Sequence, residues 1–219
     1  MTESQDEVNY DESRVKDYTL PDPLMFLDGS RVTSVNLWWE KRRPEILRLF
    51  ETHMYGKSPG RPDGVWFESY SIGRSALDGK ATRKEVVIHF QPGKDGARMN
   101  LLIYLPNHKP IPAPVFLGLN FNGNHTIHPD PGISIFNPRM PASEGEDQSV
   151  QAFLEAGRGM NASRWPVERI LERGYALATA WYGDLDPDYD DGFQNGIHPL
   201  FSQQGQTRPA SDEWGAIGA

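Results

Sequence analysis

Apolar positions along the chain follow two rhythms in succession. Residues up to about Leu24 are polar and punctuated by proline, and read as an extended arm. From Thr33 or Ser34 an amphipathic helix begins that carries Leu37, Trp38 and Trp39. Pro44 restarts it as a helix over 44–54, with Ile46, Leu47, Leu49 and Phe50 on the apolar face and Gly56 as the stop. The period then shortens. Segments 65–71, 85–90 and 101–105 read as strands, the last two joined as a hairpin through 91–96. A buried strand follows at 114–120 and then a long irregular section, 121–161, rich in Pro, Gly and Asn. Ser163 reads as a helix N-cap and Pro166 as a first-turn residue. Val167, Ile170 and Leu171 share one helical face, and Gly174 ends the turn. Residues 175–181 form an apolar run broken only by Thr179, as expected of an interior strand of a parallel sheet. Residues 212–217 open another helix, and the chain stops at Ala219 without a C-cap, an ending that reads as a cut.

That order runs antiparallel hairpin, strand, long loop, helix, strand, long loop, helix. It is how the sheet of an α/β-hydrolase begins, and other doubly wound α/β folds start similarly. The expected class is therefore α/β, an incomplete α/β-hydrolase. It holds the early strands and first helices and ends before the strand that would carry the nucleophile. The expected organisation is an arm over 1–24 and a catalytic-domain portion over 25–219.

Composition narrows the function classes. A chain of 219 residues suggests one domain, and its 37% of apolar residues supply a core. The net charge of −8 argues against nucleic acid, which needs a basic surface to neutralise phosphate. Part of that charge sits in the arm at Glu3, Asp6, Glu7, Asp11 and Glu12. With no Cys, disulfides, thiolate catalysis and Cys-based metal sites are ruled out. No apolar run reaches membrane-spanning length, and 1–10 lacks the basic start and hydrophobic stretch of a signal peptide. Either the protein is not exported or its signal has been removed.

Three motifs offer chemistry and fall short of it. Gly56-Lys57-Ser58-Pro59-Gly60 matches the nucleophile-elbow spacing, but it follows a helix where a strand is required. Pro59 also lacks the N–H that the residue after the serine must give to an oxyanion. The same stretch fails as a phosphate loop, because the glycine needed five positions before it is Glu51. The alternating carboxylates Asp184, Asp186, Asp188 and Asp190 suggest Ca²⁺. A calcium loop counted from Asp184 would need Gly and Glu where Tyr189 and Asn195 stand. A solvated loop with Asx turns fits better, with a metal in other geometry left open. His125 and His128 form a weak zinc pair without a third ligand. In an α/β-hydrolase the loop leaving the 114–120 strand runs beside the nucleophile, so Asn122, Gly123, Asn124 and His125 are the candidate substrate-side residues. The same polar groups would equally serve to satisfy loop carbonyls. Asn124-His125-Thr126 and Asn161-Ala162-Ser163 also fit the glycosylation pattern.

Several ordered stretches resemble the glucuronoyl esterases, whose bacterial branch is often labelled acetylxylan esterase. They include Arg43-Pro44-Glu45-Ile46-Leu47, Asn120-Phe121-x-Gly123-Asn124-His125-Thr126, Ser163-Arg164-Trp165-Pro166 and Arg173-Gly174-Tyr175-Ala176. Tyr182-Gly183-Asp184-x-Asp186-Pro187, Gly192-Phe193, Gly196-x-His198-Pro199-Leu200-Phe201 and Asp212-Glu213-Trp214-Gly215-Ala216-Ile217 continue the likeness. It runs from about Tyr18 to Ala219. The resemblance implies a serine-type carboxylic ester hydrolase acting on the ester between 4-O-methyl-glucuronate on xylan and lignin alcohols. It implies a Ser/His/acid mechanism, no cofactor, a monomer and a secreted or periplasmic setting. The family's nucleophile, acid and His all lie beyond the position matching Ala219, so no catalytic residue carries over. What carries over is scaffold, the loop after Asn120 and an aromatic wall from Trp165, Phe193 or Phe201, with His198 read as structural. The alternatives are an acetylxylan esterase on the same scaffold and a non-catalytic carbohydrate-binding module. One structural consequence is expected: without a following strand, 114–120 becomes an apolar sheet edge.

Overall fold

A computed structural model describes residues 9–94, 96–109, 112–135, 148–206 and 209–218. The acidic positions Glu3, Asp6 and Glu7, part of the 91–96 hairpin loop, the middle of the 121–161 section and Ala219 lie outside the described residues. The chain divides into two compact units, Met1–Met54 and Tyr55–Ala219.

In the first unit, residues 9–24 are nearly all exposed. The Ser34 side chain caps helix α1 (Val35–Leu37) by accepting from the Leu37 N–H at 3.2 Å. Pro44 does not interrupt the helix. A π-turn over Trp38–Arg42 leads directly into α2 (Arg43–His53), with the Arg43 N–H bonded to the Trp38 carbonyl. Proline has no N–H for the preceding turn, and the wider turn takes up that mismatch.

The second unit is built on one mixed five-stranded sheet, ordered β1-β2-β3-β5-β4. β1 (Trp66–Ala76), β2 (Ala81–His89) and β3 (Arg98–Pro106) form an antiparallel meander. These strands run longer than their apolar cores suggested, because polar positions, exposed at Arg74 and half-buried at Thr82 and Lys84, extend them. The β1–β2 turn is closed by Leu77 and Asp78, both at positive φ. β5 (Ala176–Trp181) runs antiparallel to β3, and β4 (Val115–Asn120) lies parallel to β5 at the edge.

The 121–161 section is not wholly irregular. Helix α3 spans Gln148–Ala156, with Val150, Phe153 and Leu154 at the i, i+3, i+4 spacing that could have revealed it. Helix α4 spans Val167–Glu172 and packs Val167 and Leu171 into the core. Ser163 is not its cap. It lies in a separate 3₁₀ turn, Ala162–Arg164, and Pro166 takes the cap position. Gly174 closes α4 at φ +84° in a Schellman motif, with Tyr175 N–H bonded to the Ile170 carbonyl and Gly174 N–H to that of Leu171. The helix expected from residue 212 is only a 3₁₀ turn, Ala216–Gly218. No described helix is long and apolar enough to cross a membrane.

The core gathers Leu102, Tyr104, Ile127, Ile133, Val167, Leu171 and Leu177 under the sheet. Two carboxylates anchor the 127–135 segment to it, one through an ion pair and one through hydrogen bonds. Asp130 accepts from Arg83 and from the Tyr104 hydroxyl, both at 2.6 Å. Glu85, 1% exposed, accepts from the Ser134 N–H at 2.8 Å and its hydroxyl at 3.1 Å.

Candidate functional site

The carboxyl ends of β4 and β5 meet where Asn120 pairs with Trp181. In open α/β sheets, ligands gather at the carboxyl ends of parallel strands. Here a buried amide network shapes the loop that leaves β4. The Asn120 side chain accepts from the Gly123 N–H at 2.9 Å and donates to Asn124 Oδ1 at 2.7 Å and to the Thr179 hydroxyl at 3.1 Å. Asn124 in turn donates to the Asn100 carbonyl on β3 at 2.7 Å. Both the backbone and the side-chain amide of Asn100 reach Asp184 Oδ2, at 2.8 and 3.2 Å. Burial raises the Asp184 pKa, opposed in part by the Asn100 hydrogen bonds.

The four candidate residues are thus placed differently. Asn122 is exposed, next to Phe121, whose carbonyl accepts from the Trp181 indole at 2.8 Å. Gly123 sits at φ +95°, and a Cβ there would come within 3.0 Å of the His125 ring. Asn124 and His125 are 8% and 4% exposed, turned into the protein. Burial, then the Arg158 charge, lowers the His125 pKa, so its imidazole is held neutral. Gly123, Asn124 and His125 line a small cavity of about 20 Å³ with Asn100, Ser134, Trp181 and Asp184. That is room for roughly one water and no substrate. Thr179, Asn100 and Asp184 are members of the network that residue reading did not reach. The lone hydroxyl of Thr179 in an otherwise apolar strand was its signal.

The other motifs resolve into structure. His128 Nδ1 accepts from the Asp130 N–H at 3.0 Å, so Nε2 carries the proton and donates to Glu168 at 2.9 Å. That hydrogen bond is the main reason the Glu168 pKa is lowered. Among the described residues no group of three His, Asp or Glu side chains is arranged to hold a metal. Asp190 and Asp191 form the expected Asx turns, Asp191 accepting from Phe193 and Asn195. Asp184 departs from the solvated-loop reading by turning inward to Asn100. Among the described residues Ser58 accepts only from the Gly60 N–H, at 3.4 Å. Among the described residues no serine hydroxyl hydrogen-bonds a histidine ring.

Of the aromatic wall, Trp165 packs beneath β4 near Gly118. Phe193 and Phe201 line a separate cavity with His198 and Trp214. Beside the loop, β4 is open along its outer edge. Val115, Phe116, Leu117 and Leu119 are 55, 54, 74 and 52% exposed, an apolar strand facing solvent.

A glucuronoyl esterase from Solibacter usitatus superposes on this chain with a TM-score of 0.83 at 45% identity, covering 94% of this chain and 52% of that one. By sequence and by fold, the chain is a relative of the glucuronoyl esterases. A structure titled as a promiscuous CE15 esterase from a marine bacterial metagenome gives a TM-score of 0.75 at 42% identity, covering 95% of this chain and 52% of its own. Carbohydrate esterase MZ0003, from an unknown prokaryotic organism, is 43% identical over 96% of this chain and 48% of its own length. No protein-family model matches the chain. The chain spans about half the length of these glucuronoyl and carbohydrate esterase relatives, and all of them are esterases by description.

Proposed function

We propose that this chain forms one half of a carboxylic ester hydrolase acting on glucuronate esters of plant cell-wall polysaccharide. The observation that carries the reading is the 45% identity to a glucuronoyl esterase across 94% of the chain, joined to an open β4 beside the loop at the carboxyl end of the sheet. The chemistry would be serine-type: attack by Ser, proton transfer by His, and a carboxylate orienting the His. Those three groups would come from polypeptide pairing with β4, and the role of this half is to hold the wall of the site. Within the loop, Asn122 and the backbone of 121–123 face the place where an ester would lie, and Asn124 and His125 hold that backbone from behind. No metal or organic cofactor is required by such a mechanism, and a single polypeptide chain suffices as the working unit.

Fusing the chain to the carboxyl-terminal half of the Solibacter relative tests this. The fusion is expected to hydrolyse a methyl or benzyl glucuronate ester, and the 219-residue chain alone is expected not to. Hydrolysis by the chain alone would overturn the reading. A cooperatively folded fusion that releases acetate from acetylated xylan but leaves glucuronate esters intact would move the assignment to an acetyl esterase.

A further inference from the structure

Beyond the last registered pair of β3 and β5, Leu101 with Ala180, the backbone of Asn100 is taken up by side chains instead of a strand. Its N–H donates to Asp184 Oδ2 at 2.8 Å, and its carbonyl accepts from the Asn124 amide at 2.7 Å. The Asn100 side-chain amide adds a second bond to the same Oδ2 at 3.2 Å. Asp184 belongs to the turn that leaves β5, and Asn124 to the turn that leaves β4. One residue of β3 fastens both.

These bonds run in a single direction. The Asn100 carbonyl can only accept, so Asn124 must offer it the NH2 group and turn Oδ1 to Asn120. Asn120 then offers its own NH2 to Asn124 and keeps Oδ1 for the Gly123 N–H, which can only donate. Backbone groups at both ends leave each amide one orientation. Donors therefore follow one another from Gly123 through Asn120, Asn124 and Asn100 to Asp184, where the chain ends on a carboxylate. Hydrogen bonds in such a chain polarise one another, and a charged acceptor makes the last of them the strongest. At the other end, Asn120 holds the Gly123 N–H inward. The planar trans peptide that joins Asn122 to Gly123 must then turn the Asn122 carbonyl the opposite way, out of the loop.

We propose that Asp184 is a positioning residue for the wall of the ester site: its carboxylate fixes Asn100, and through Asn124 and Asn120 it sets the plane of the Asn122–Gly123 peptide. The relay stands on the hydrogen bonds alone, whereas its placement beside an ester rests on the esterase reading. A protonated Asp184 would offer a weaker acceptor to two N–H donors, and the chain would slacken from that end. Burial raises the Asp184 pKa, which brings this step within reach of a pH titration. The charged and titratable groups around it are Arg98 on β3, His125 across the small cavity, and Tyr70 on β1, whose hydroxyl donates to Glu85 of β2. Burial, then the Glu85 charge, raises the Tyr70 pKa and keeps that hydroxyl protonated.

The ¹⁵N-labelled 219-residue chain tests the relay. Lowering the pH from 7.5 to 4.5 is expected to move four resonances with one shared midpoint, above the ordinary aspartate value of about 3.9. They are the backbone amides of Asn100 and Gly123 and the side-chain amides of Asn124 and Asn120. Asp184→Asn is expected to abolish that step at all the others, while any step caused by His125 stays. In the fusion described above, Asp184→Ala is expected to lower kcat about tenfold with KM little changed, as misplacement of the wall predicts. Asp184→Asn, whose side-chain carbonyl still accepts from Asn100, is expected to recover part of that kcat. Should the Ala variant misfold, the Asn variant and the amide titration decide. A Gly123 amide that ignores Asp184 while Asn100 follows it overturns the proposal, as does an Asp184→Ala fusion with full kcat. A folded fusion without hydrolysis whose Gly123 amide still follows Asp184 would refute the esterase reading and leave the relay standing; hydrolysis with a Gly123 amide that ignores Asp184 would do the reverse.

Discussion

Asn124 donates its side-chain amide to the Asn100 carbonyl at 2.7 Å, tying the loop beyond β4 to β3 across the full width of β5. Through Asn100 the tie continues to Asp184, so the turns that leave β4 and β5 are locked to each other. A loop whose backbone must present fixed groups to a substrate needs such support from behind.

Asn124→Ala would leave the Asn100 carbonyl without its partner. A destabilisation of about 1–3 kcal/mol is expected from the desolvated acceptor. Urea unfolding of the two proteins checks this. A cost indistinguishable from zero would mean that the network does not form.

Asp130 carries a larger share. Its side chain is 9% exposed and that of Arg83 12%, and the two meet at 2.6 Å with Tyr104 alongside. Removing one partner of a buried pair leaves an uncompensated charge, so Asp130→Ala is expected to cost about 3–5 kcal/mol. The Arg83→Met/Asp130→Leu double variant should recover most of that loss. Equal damage from the single and double variants would contradict the pairing.

Leu117 tests the open edge from its surface. At 74% exposure it contributes little to the fold of this chain, so Leu117→Lys is expected to change stability by no more than about 0.5 kcal/mol. The charge should also raise the yield of unaggregated chain, since a lysine on an edge strand blocks further pairing. In the fusion the same substitution should abolish ester hydrolysis. Retained hydrolysis would show that nothing pairs there.

The histidines set a pH dependence. The folded-state pKa values of His125 and His198 are lowered by burial, so the unfolded chain binds more protons between the folded value and about 6.5. Stability is fully present above that pH and is lost as pH falls through the folded values. Asp184, whose pKa is raised, acts in the opposite sense as pH rises through the carboxylate range. Unfolding free energy should therefore drop from pH 7.5 to 5.5, with a smaller drop in His125→Gln. An unchanged drop in that variant would exclude His125 as a source.

What was legible in the chain was the apolar rhythm. β4, β5 and the packing face of α4 fall where their runs of Val, Leu and Ala place them; β5 is interior and buried on both faces, whereas the apolar run of β4, which read as buried, lies exposed at the sheet edge. The ends of β1 and β2 were hidden by Arg74, Thr82 and Lys84, polar residues that solvent tolerates on an antiparallel ribbon. At the loop, Asn122 to His125 could be picked out as polar and clustered. Which of them faces inward was not legible, since that depends on Asn100 and Asp184, 84 positions apart in sequence and brought together only by the sheet. The aromatic residues told a similar story. Trp165 and Phe193 look alike as exposed-wall candidates, yet one lies against Gly118 and the other borders a cavity.

Amide hydrogen exchange along β4 bears most directly on whether this chain is built to be completed by another strand. The Ala176 N–H bonds to the Pro114 carbonyl, which fixes the phase of the parallel ladder. The amides of Phe116 and Gly118 then point at β5, and those of Val115, Leu117 and Leu119 point outward. In the chain alone the outward amides should exchange freely while the inward pair is protected. In the fusion they should become protected as ester hydrolysis appears. Equal protection of all five amides in the chain alone would contradict the account.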